Sequence, residues 1–380
     1  MTNTPYSNRL HVGIFGETNV GKSYLFNALI GSDSAIVSDR PGTTTDPVQK
    51  PMELIPFGPI VLIDTAGLGD DSPLGRQRME KTLKVLDRVD LALYVMKSPA
   101  TEDPDSQAAY KDFTAYLNDK NILHISVTRD DDIETLKKAM VQHLSSIKTE
   151  DDTMLWGLLP PGATVLMVAP IDSAAPKGRL ILPQAQLIRD CLDNNFAAHV
   201  VTEKGIKTAL ANLKRIDLVV TDSQVFGLVA ENIPQDVKLT SFSILMARRK
   251  GGIEILLDGL NAIKYLKDGD KILISEVCTH NRTHEDIGQV QIPAALRRIT
   301  GRKLDFEFAA GSDFPEDLTK YALIIHCGGC MTTRRDMKNR IGRAKKFNIP
   351  ITNYGLFLAY ASGILERSIE VLKVGDKLEM

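Results

Sequence analysis

Short apolar runs alternate with amphipathic stretches along the whole chain. Each apolar run has the length of a buried strand, and the stretches between them have the spacing of helices that pack on one face. This alternation predicts repeated strand–helix–strand units with mainly parallel sheets, which is an α/β fold. The predicted strands cover residues 11–15, 60–63, 122–127, 163–168, 197–201, 216–221, 238–244, 271–275 and 321–325.

Clusters of proline and glycine divide the chain into three segments. Residues 159–162 are Leu-Pro-Pro-Gly, and residues 267–270 are Lys-Asp-Gly-Asp, directly before a predicted strand. Such residues favour turns over regular structure. We therefore predict domains at 1–158, 159–266 and 267–380, the last two being smaller α/β domains with mainly parallel sheets.

The charge balance argues against bulk binding of nucleic acid or of an anionic membrane surface. The 380 residues include 46 Lys+Arg and 48 Asp+Glu, a formal net charge of −2. A basic excess is the electrostatic mark of such partners. No apolar run reaches the roughly 18 residues of a membrane span, and the first residues lack the pattern of a signal peptide. We therefore expect a cytoplasmic location, with neither nucleic acid nor membrane as a partner.

The first predicted strand runs into a glycine-rich loop. Residues 16–23 satisfy the pattern G-x-x-x-x-G-K-S, and a helix-like stretch follows at 24–30. Glycines let backbone N–H groups curl around phosphate oxygens, a lysine reaches the terminal phosphates, and a serine hydroxyl binds Mg²⁺. The sequence thus predicts a loop that binds the phosphates of a nucleoside triphosphate. Its residues are Gly16, Asn19, Val20, Gly21, Lys22 and Ser23.

Two further elements complete a predicted nucleotide switch. The strand at 60–63 ends in Asp-Thr-Ala-Gly, where Asp64 is placed to meet Mg²⁺ through water and the Gly67 N–H to sense the γ-phosphate. Residues 41–46 are Pro-Gly-Thr-Thr-Thr-Asp, a polar stretch suited to a loop whose threonine binds Mg²⁺ only in the triphosphate state. We expect these residues, together with Lys22, to carry hydrolysis of the triphosphate.

Three of the four cysteines cluster in the last segment. Cys278 lies in Cys-x-His after one predicted strand, and Cys327 and Cys330 lie in His-Cys-Gly-Gly-Cys after another. The carboxyl ends of parallel strands meet at one edge of a sheet, so the three thiols are expected to converge on one metal. The fourth cysteine, Cys191, is expected to be a core residue.

The spacing of these residues leaves the identity of the metal open. Zinc accepts three thiolates and one imidazole, whereas a 4Fe-4S cluster takes three thiolates and leaves one iron for an exchangeable ligand. The candidates for a fourth ligand are His280, His326 and Glu276, which lies two residues before Cys278.

The N-terminal motifs resemble those of the translation-factor-like GTPases, particularly the TrmE/Era group, over roughly residues 8–150. The resemblance implies that Thr44 is a Mg²⁺ ligand and that Asn19 helps to hold K⁺. Leu68 follows Gly67 at the position where Ras-like proteins carry the water-orienting glutamine, which implies slow intrinsic hydrolysis.

One element of that group is absent from its expected place. The guanine-reading Asn-Lys-x-Asp motif should follow a strand, yet residues 116–127 contain no such tetrapeptide. The predicted strand at 122–127 and the Thr-Arg-Asp that follows at 128–130 resemble the last strand and the guanine-capping loop of such a domain. We therefore predict that a strand and the motif are missing near residues 120–121.

Taken together, the two halves of the chain resemble one family, HydF, the GTPase scaffold of FeFe-hydrogenase maturation. The match extends to Asp-Ile-Gly at 286–288 and to Thr-Asn-Tyr-Gly at 352–355. The resemblance implies a 4Fe-4S cluster on three cysteines, GTP/GDP with Mg²⁺, and homodimers built through the middle segment. It also implies that a diiron precursor from the radical-SAM maturases HydE and HydG is assembled or carried by the protein and delivered to apo FeFe-hydrogenase.

Two other functions fit part of the pattern. A zinc-stabilised GTPase acting as a ribosome or RNA assembly factor fits both motifs, but the net charge of −2 and the lack of a basic run with interleaved aromatic residues count against it. A redox enzyme that uses Cys327 and Cys330 as a dithiol is weakened by Cys278 and the two nearby histidines. A GTP-hydrolysing scaffold is therefore the leading hypothesis.

Overall fold

The computed structural model describes residues 4–31, 47–68, 73–97, 104–147, 153–171, 178, 180–277, 287–311 and 313–373. The chain forms two units, one of residues 1–149 with 333–336 and the other of residues 150–332 with 337–380. Within the described ranges, none of the helices has the length and apolar character needed to cross a membrane.

The first unit is built on a mostly parallel sheet with helices on both sides. Its strands are β1 (Leu10–Phe15), β2 (Val48–Leu54), β3 (Gly58–Asp64), β4 (Leu91–Met96) and β5 (Leu123–Thr128). Its helices are α1 (Lys22–Ile30), α2 (Pro73–Leu86), α3 (Pro104–Asp119) and α4 (Ile133–Ile147). The strand order is β2-β3-β1-β4-β5. Among the strands that the structure describes in this unit, β2 and β3 are antiparallel neighbours and the other pairs are parallel.

Strand β3 shows why the sequence pattern predicted a buried strand. Its alternate residues enter two separate apolar clusters, Ile60 and Leu62 on the side of α1 and α4, and Val61 and Ile63 on the side of α2 and α3. A parallel strand with both faces covered is apolar at every position. The continuous apolar run at 60–63 is the result.

The second unit contains two sheets. The strands of the first are β6 (Thr164–Val168), β7 (Ala197–Val201), β8 (Leu218–Thr221) and β9 (Lys238–Ser241), and its helices are α5 (Leu182–Asp193), α6 (Ile206–Asn212), α7 (Phe226–Asn232) and α8 (Phe242–Lys250). The strands of the other are β10 (Lys271–Glu276), β11 (Asp305–Ala310), β12 (Leu323–His326) and β13 (Ile351–Asn353), and its helices are α9 (Ile253–Asp258), α10 (Ile292–Thr300), α11 (Arg334–Lys346), α12 (Tyr354–Ala361) and α13 (Leu365–Ile369).

Both sheets of the second unit are parallel, in the orders β7-β6-β8-β9 and β11-β10-β12-β13. One hydrophobic core runs through both, from Met154 to Leu372. The prediction of an α/β fold with mainly parallel sheets is therefore confirmed. One sheet lies in each predicted segment, and the segment boundaries at 158 and 266 stay predictions.

The predicted strand at 238–244 is wrong at its carboxyl end. Strand β9 ends at Ser241, and α8 begins at Phe242. The Ser241 Oγ accepts a hydrogen bond from the Ile244 N–H at 3.2 Å. A serine in this place satisfies an N–H that the first turn of a helix leaves open, so the chain turns into a helix although the residues that follow are apolar.

Candidate functional site

The loop between β1 and α1 curls around the amino terminus of α1. Three of its residues have left-handed φ angles, Gly16 at +144°, Asn19 at +65° and Gly21 at +100°. Gly21 directly precedes α1, and within the described part of the chain no side chain caps this helix. The N–H groups of its first turn are therefore open to an anion. This backbone is suited to the phosphate binding that the sequence predicts.

The lysine of this loop is buried. Lys22 is 7% exposed, and its Nζ donates a hydrogen bond to the Glu17 carbonyl oxygen at 2.6 Å. Burial lowers the pKa of Lys22 to about 8, while the charges of Asp64 and Glu17 act in the opposite direction. An anion beside the ammonium group favours its charged form, so a bound phosphate opposes the effect of burial on this pKa.

Ser23 and Asp64 meet across the ends of α1 and β3. The Ser23 Oγ donates a hydrogen bond to Asp64 Oδ2 at 2.7 Å. Among the described residues, the other oxygen, Asp64 Oδ1, is buried without a hydrogen-bond partner. Burial raises the pKa of Asp64, opposed by the Ser23 hydroxyl and the Lys22 ammonium. A hydroxyl beside a carboxylate with an open acceptor is the kind of oxygen donor set that Mg²⁺ takes, so these residues fit the ion.

The residues that follow Asp64 lie against the phosphate loop. The Leu68 N–H donates to the Gly16 carbonyl oxygen at 3.0 Å. A Cβ on Gly67 would stand 2.7 Å from the Cα of Thr18. Only glycine fits in this position, so the Asp-Thr-Ala-Gly segment and the phosphate loop touch where the sequence predicts a γ-phosphate sensor.

Three further residues were predicted for the nucleotide site: Val20, Asn19 and Thr44. Val20 is buried at 7% exposure and belongs to the core. Asn19 lies in the loop with its left-handed backbone, and its K⁺ role stays a prediction. Thr44 lies outside the described residues.

Strand β5 pairs directly with β4, from Leu91 opposite Leu123 to Met96 opposite Thr128. It is the edge strand of this sheet in the described part of the chain, as expected of the last strand of the domain. The absence of a strand and of the guanine-reading motif near residues 120–121 stays a prediction.

The loop after β5 lies beside the phosphate loop. Thr128 donates to Asp131 twice, from its N–H and from its hydroxyl, both at 2.8 Å. The guanidinium of Arg129 lies 4.6 Å from the centre of the Tyr24 ring, and its side chain is 3.4 Å from where a Cβ on Gly21 would stand. The Thr-Arg-Asp-Asp of this loop has its acid in the fourth place, as Asn-Lys-x-Asp does. In the sequence, the same loop is interpreted as a guanine-capping loop, from residues 128–130.

In the second unit, β12 leads into residues 326–332, which we name the cysteine loop. The Cys327 N–H donates to the Ser275 carbonyl oxygen at 2.8 Å, and the Cys327 Sγ accepts a hydrogen bond from the Val277 N–H at 3.2 Å. Both bonds hold this cysteine against the end of β10. Cys327 and Cys330 are half-buried, and burial raises the pKa of the Cys327 thiol to about 11. A metal that binds here must displace the proton.

The ring of His326 is fully engaged. Its Nε2 lies 3.1 Å from Arg340 Nη1, and a guanidinium only donates, so Nε2 is the acceptor. Nδ1 therefore carries the proton and donates to the Cys327 carbonyl oxygen at 2.7 Å. Both nitrogens of His326, one of the three predicted alternatives for a fourth metal ligand, thus have other partners, and its role as a ligand stays a prediction.

The carboxylate of Glu276 lies near the cysteine loop. The Tyr354 hydroxyl donates to Glu276 Oε1 at 2.9 Å, and the charge of Glu276 adds to the raised pKa of Cys327. A Cβ on Gly288 would collide with both Glu276 Oε1 and the Tyr354 hydroxyl. The position of this carboxylate is thus fixed, and its role as a ligand stays a prediction.

Two other predicted metal ligands, Cys278 and His280, lie outside the described residues. In the ranges that the structure describes, no group of three His, Cys, Asp or Glu side chains forms a metal site. Cys191 is fully buried in the core, and burial raises its pKa to about 12. Its prediction as a core residue is confirmed.

Three family models match the chain in succession. Residues 11–129 match a model described as 50S ribosome-binding GTPase. Residues 154–251 match the hydrogen maturase F dimerization domain, and residues 254–371 match the hydrogen maturase F tetramerization domain. The chain belongs to the hydrogen maturase F family. The HydF resemblance and the predicted N-terminal P-loop GTPase fold are thereby confirmed.

Curated relatives of this hydrogen maturase F chain match its GTPase domain. The tRNA modification GTPase MnmE of Xylella fastidiosa is 49% identical over 88 residues, which are 23% of this chain and 19% of the relative. GTPase Der of Wolinella succinogenes is 43% identical over 90 residues, which are again 23% of this chain and 19% of the relative. The chain thus spans about a fifth of the length of these relatives. The crystal structure of an Aquifex aeolicus Era variant bound to GDP·AlF4⁻ aligns with 79% of this chain and 92% of its own, at 17% identity and a TM-score of 0.28.

A methyl group added at Gly67 tests its close approach to the phosphate loop. We expect Gly67→Ala to push Thr18 away, to destabilise the unit by about 1–3 kcal/mol as overpacking does, and to speed amide exchange in both segments. Thermal unfolding and hydrogen–deuterium exchange measure these effects. The control is Gly227→Ala in α7, where a Cβ meets nothing within 4 Å. Wild-type exchange and unfolding in Gly67→Ala would contradict the packing described.

Proposed function

We propose that this chain is a GTP-hydrolysing scaffold that binds a 4Fe-4S cluster and assembles or delivers the diiron precursor of the H-cluster to apo FeFe-hydrogenase. One observation carries the proposal. A chain of the hydrogen maturase F family combines a partly buried Ser23–Asp64 pair beside a phosphate loop with cysteines at the end of a parallel sheet. The pair supports a nucleotide switch, and the cysteines support a soft-metal site.

The phosphate loop supports binding of GTP and GDP. The N–H groups at the start of α1 and the Lys22 ammonium hold phosphate oxygens, while Ser23 and Asp64 hold Mg²⁺. When bound, Mg²⁺ neutralises the negative charge of the β- and γ-phosphates. Asp64 must be ionised to hold the ion, and a neighbouring cation favours that form.

Slow hydrolysis and a response to the γ-phosphate follow from the same segment. Leu68 offers no group that orients an attacking water. We propose that the Gly67 N–H binds the γ-phosphate, so that hydrolysis would let this segment leave the phosphate loop. Thr44 is proposed as the Mg²⁺ ligand of the triphosphate state, and Asn19 as a ligand of K⁺.

The loop after β5 supports recognition of a guanine ring. Asp131 accepts two hydrogen bonds from Thr128, and its carboxylate oxygens keep lone pairs for the N–H donors of guanine. Arg129, which lies on the Tyr24 ring, presents a flat surface beside Gly21. Adenine carries an acceptor where guanine carries its ring N–H, so the carboxylate disfavours adenine.

The cysteines support a 4Fe-4S cluster. We assign it to Cys278, Cys327 and Cys330. The Val277 N–H that points at sulfur favours a thiolate ligand, because a donor stabilises negative charge. When bound, the cluster supplies an iron with an exchangeable position. Glu276 and His280 are proposed for that position ahead of His326, because both ring nitrogens of His326 are engaged.

The partners are proposed from the family. The dimerization and tetramerization domains support self-association, and we propose a homodimer formed through residues 154–251. HydE and HydG supply the diiron cargo, and apo FeFe-hydrogenase receives it in the cytoplasm. The nucleotide controls the transfer only if its two states differ in affinity for cargo or partner.

Lys22→Ala tests the nucleotide site. Loss of the ammonium group is expected to weaken binding of fluorescent GDP and to slow phosphate release from GTP, each by about tenfold or more. The control is Lys137→Ala, which removes a surface lysine of α4 paired with Glu134. Unchanged nucleotide affinity and turnover in Lys22→Ala would show that the assignment of Lys22 is wrong.

Faster GTP turnover in K⁺ than in Na⁺ would support the proposed role of Asn19 as a ligand of K⁺.

Anaerobic quantification of iron, zinc and sulfide tests the cluster, with EPR after reduction by dithionite. We expect about four irons and four sulfides per chain. Cys278→Ser and Cys327→Ser should lose or alter the spectrum, whereas Cys191→Ala, which changes a core cysteine, should keep it. One zinc and no sulfide in the wild type would refute the cluster and favour the zinc-stabilised assembly factor.

A further inference from the structure

The carboxyl end of the cysteine loop is tied to a buried ammonium group. Lys250, the last residue of α8, is 3% exposed, and its Nζ donates to the Thr332 carbonyl oxygen at 2.6 Å. Thr332 is buried at 6% exposure, whereas Met331, directly before it, is 58% exposed. The tip of the loop therefore reaches solvent while its end is fixed by a cation.

The amino end of the loop is tied to a buried guanidinium group. Arg340 of α11, 5% exposed, donates to His326 Nε2 at 3.1 Å and to the Gly311 carbonyl oxygen at 2.9 Å. The guanidinium also lies 5.3 Å from the centre of the Phe314 ring. His326 in turn donates to the Cys327 carbonyl oxygen at 2.7 Å. A chain of hydrogen bonds thus leads from the cation to the first cysteine of the loop.

The turn between these two ends has a constrained path. Gly329 has a left-handed φ of +65°, and its carbonyl oxygen accepts the Thr332 N–H at 3.2 Å. A Cβ on Gly328 would stand 3.2 Å from the Ser243 Oγ. With little room around the turn, the positions of the thiols depend on the two ends of the loop.

Holding a loop in place with two buried cations costs free energy. Removing a cation from water is costly, and apolar side chains of similar volume often stabilise a fold as well or better. Negative charge close by offsets this cost, and it does so strongly where the surroundings are poor in water. Lys250 and Arg340 have further interactions as well, and thiolates bound to a metal add negative charge in their neighbourhood.

We propose that Lys250 and the Arg340–His326 pair are positioning residues that hold the cysteine loop for an anionic, thiolate-bound metal centre and raise its reduction potential. This inference rests on the proposed cluster site. A fixed positive charge stabilises the reduced form of a cluster more than the oxidised form, because the reduced form carries one more negative charge. Removal of either cation should therefore lower the potential.

The test is a potentiometric titration, followed by EPR, of the full-length protein reconstituted with iron and sulfide. Lys250→Met removes the charge, and Lys250→Arg keeps it. We expect Lys250→Met to lower the midpoint potential by about 59 mV or more, a tenfold change for one electron, and Lys250→Arg to restore it. Arg340→Gln, which keeps a donor for His326, should shift the potential in the same direction. Lys345→Met, an exposed position on α11, should leave it unchanged.

The outcomes separate this inference from the proposed function. A wild type that forms no cluster overturns both. A wild type with a cluster, and unchanged potentials in both Lys250→Met and Arg340→Gln, overturns the inference alone. If the neutral variants hold no cluster, retention of the cluster and its potential in Lys250→Arg supports the inference, and loss of the cluster in Lys250→Arg as well overturns it.

Discussion

Parallel pairing of central strands is the constraint on which both candidate sites depend. The pairing of β1 with β3 brings the phosphate loop beside the end of β3, so that the Ser23 Oγ lies 2.7 Å from Asp64 Oδ2. The pairing of β10 with β12 brings the Val277 N–H to the sulfur of Cys327. Helices cover the faces of such sheets, so polar loops meet at the carboxyl edge, where ligands bind in open α/β folds.

Burial at these edges shifts the pKa values of residues at both sites in the direction that favours their uncharged forms. Burial lowers the pKa of Lys22 to about 8, raises that of Asp64 and raises that of the Cys327 thiol to about 11. In each case the charged form is the one that binds phosphate or a cation. A bound anion or cation therefore stabilises the charged form of these groups, and a metal bound by Cys327 takes the place of the thiol proton.

Local patterns in the sequence predicted what local physics determines. Helices cover both faces of β3, which explains the apolar run at 60–63, and Asp64 stands where this run ends. One error arises where a side chain overrides an apolar run: the strand before α8 stops at Ser241 because of a side-chain cap. His326 stays a candidate ligand, and its hydrogen bond with Arg340, 14 residues away, is a contact that the sequence does not show. The short strand β13 and the partly exposed β2 and β11 were not predicted because they lack a continuous apolar run. Strand β4 was also missed, although its residues form a continuous and largely buried apolar run.

Activation of purified apo FeFe-hydrogenase is the most direct test that one chain couples a nucleotide site to a cluster site. The scaffold is loaded anaerobically in the presence of HydE and HydG, freed of them, and mixed with apo enzyme with or without GTP, and hydrogen evolution is measured. Wild type and Cys191→Ala should activate the enzyme, Cys327→Ser should not, and Lys22→Ala should lose any response to GTP. Full activation by Cys327→Ser would contradict the scaffold function.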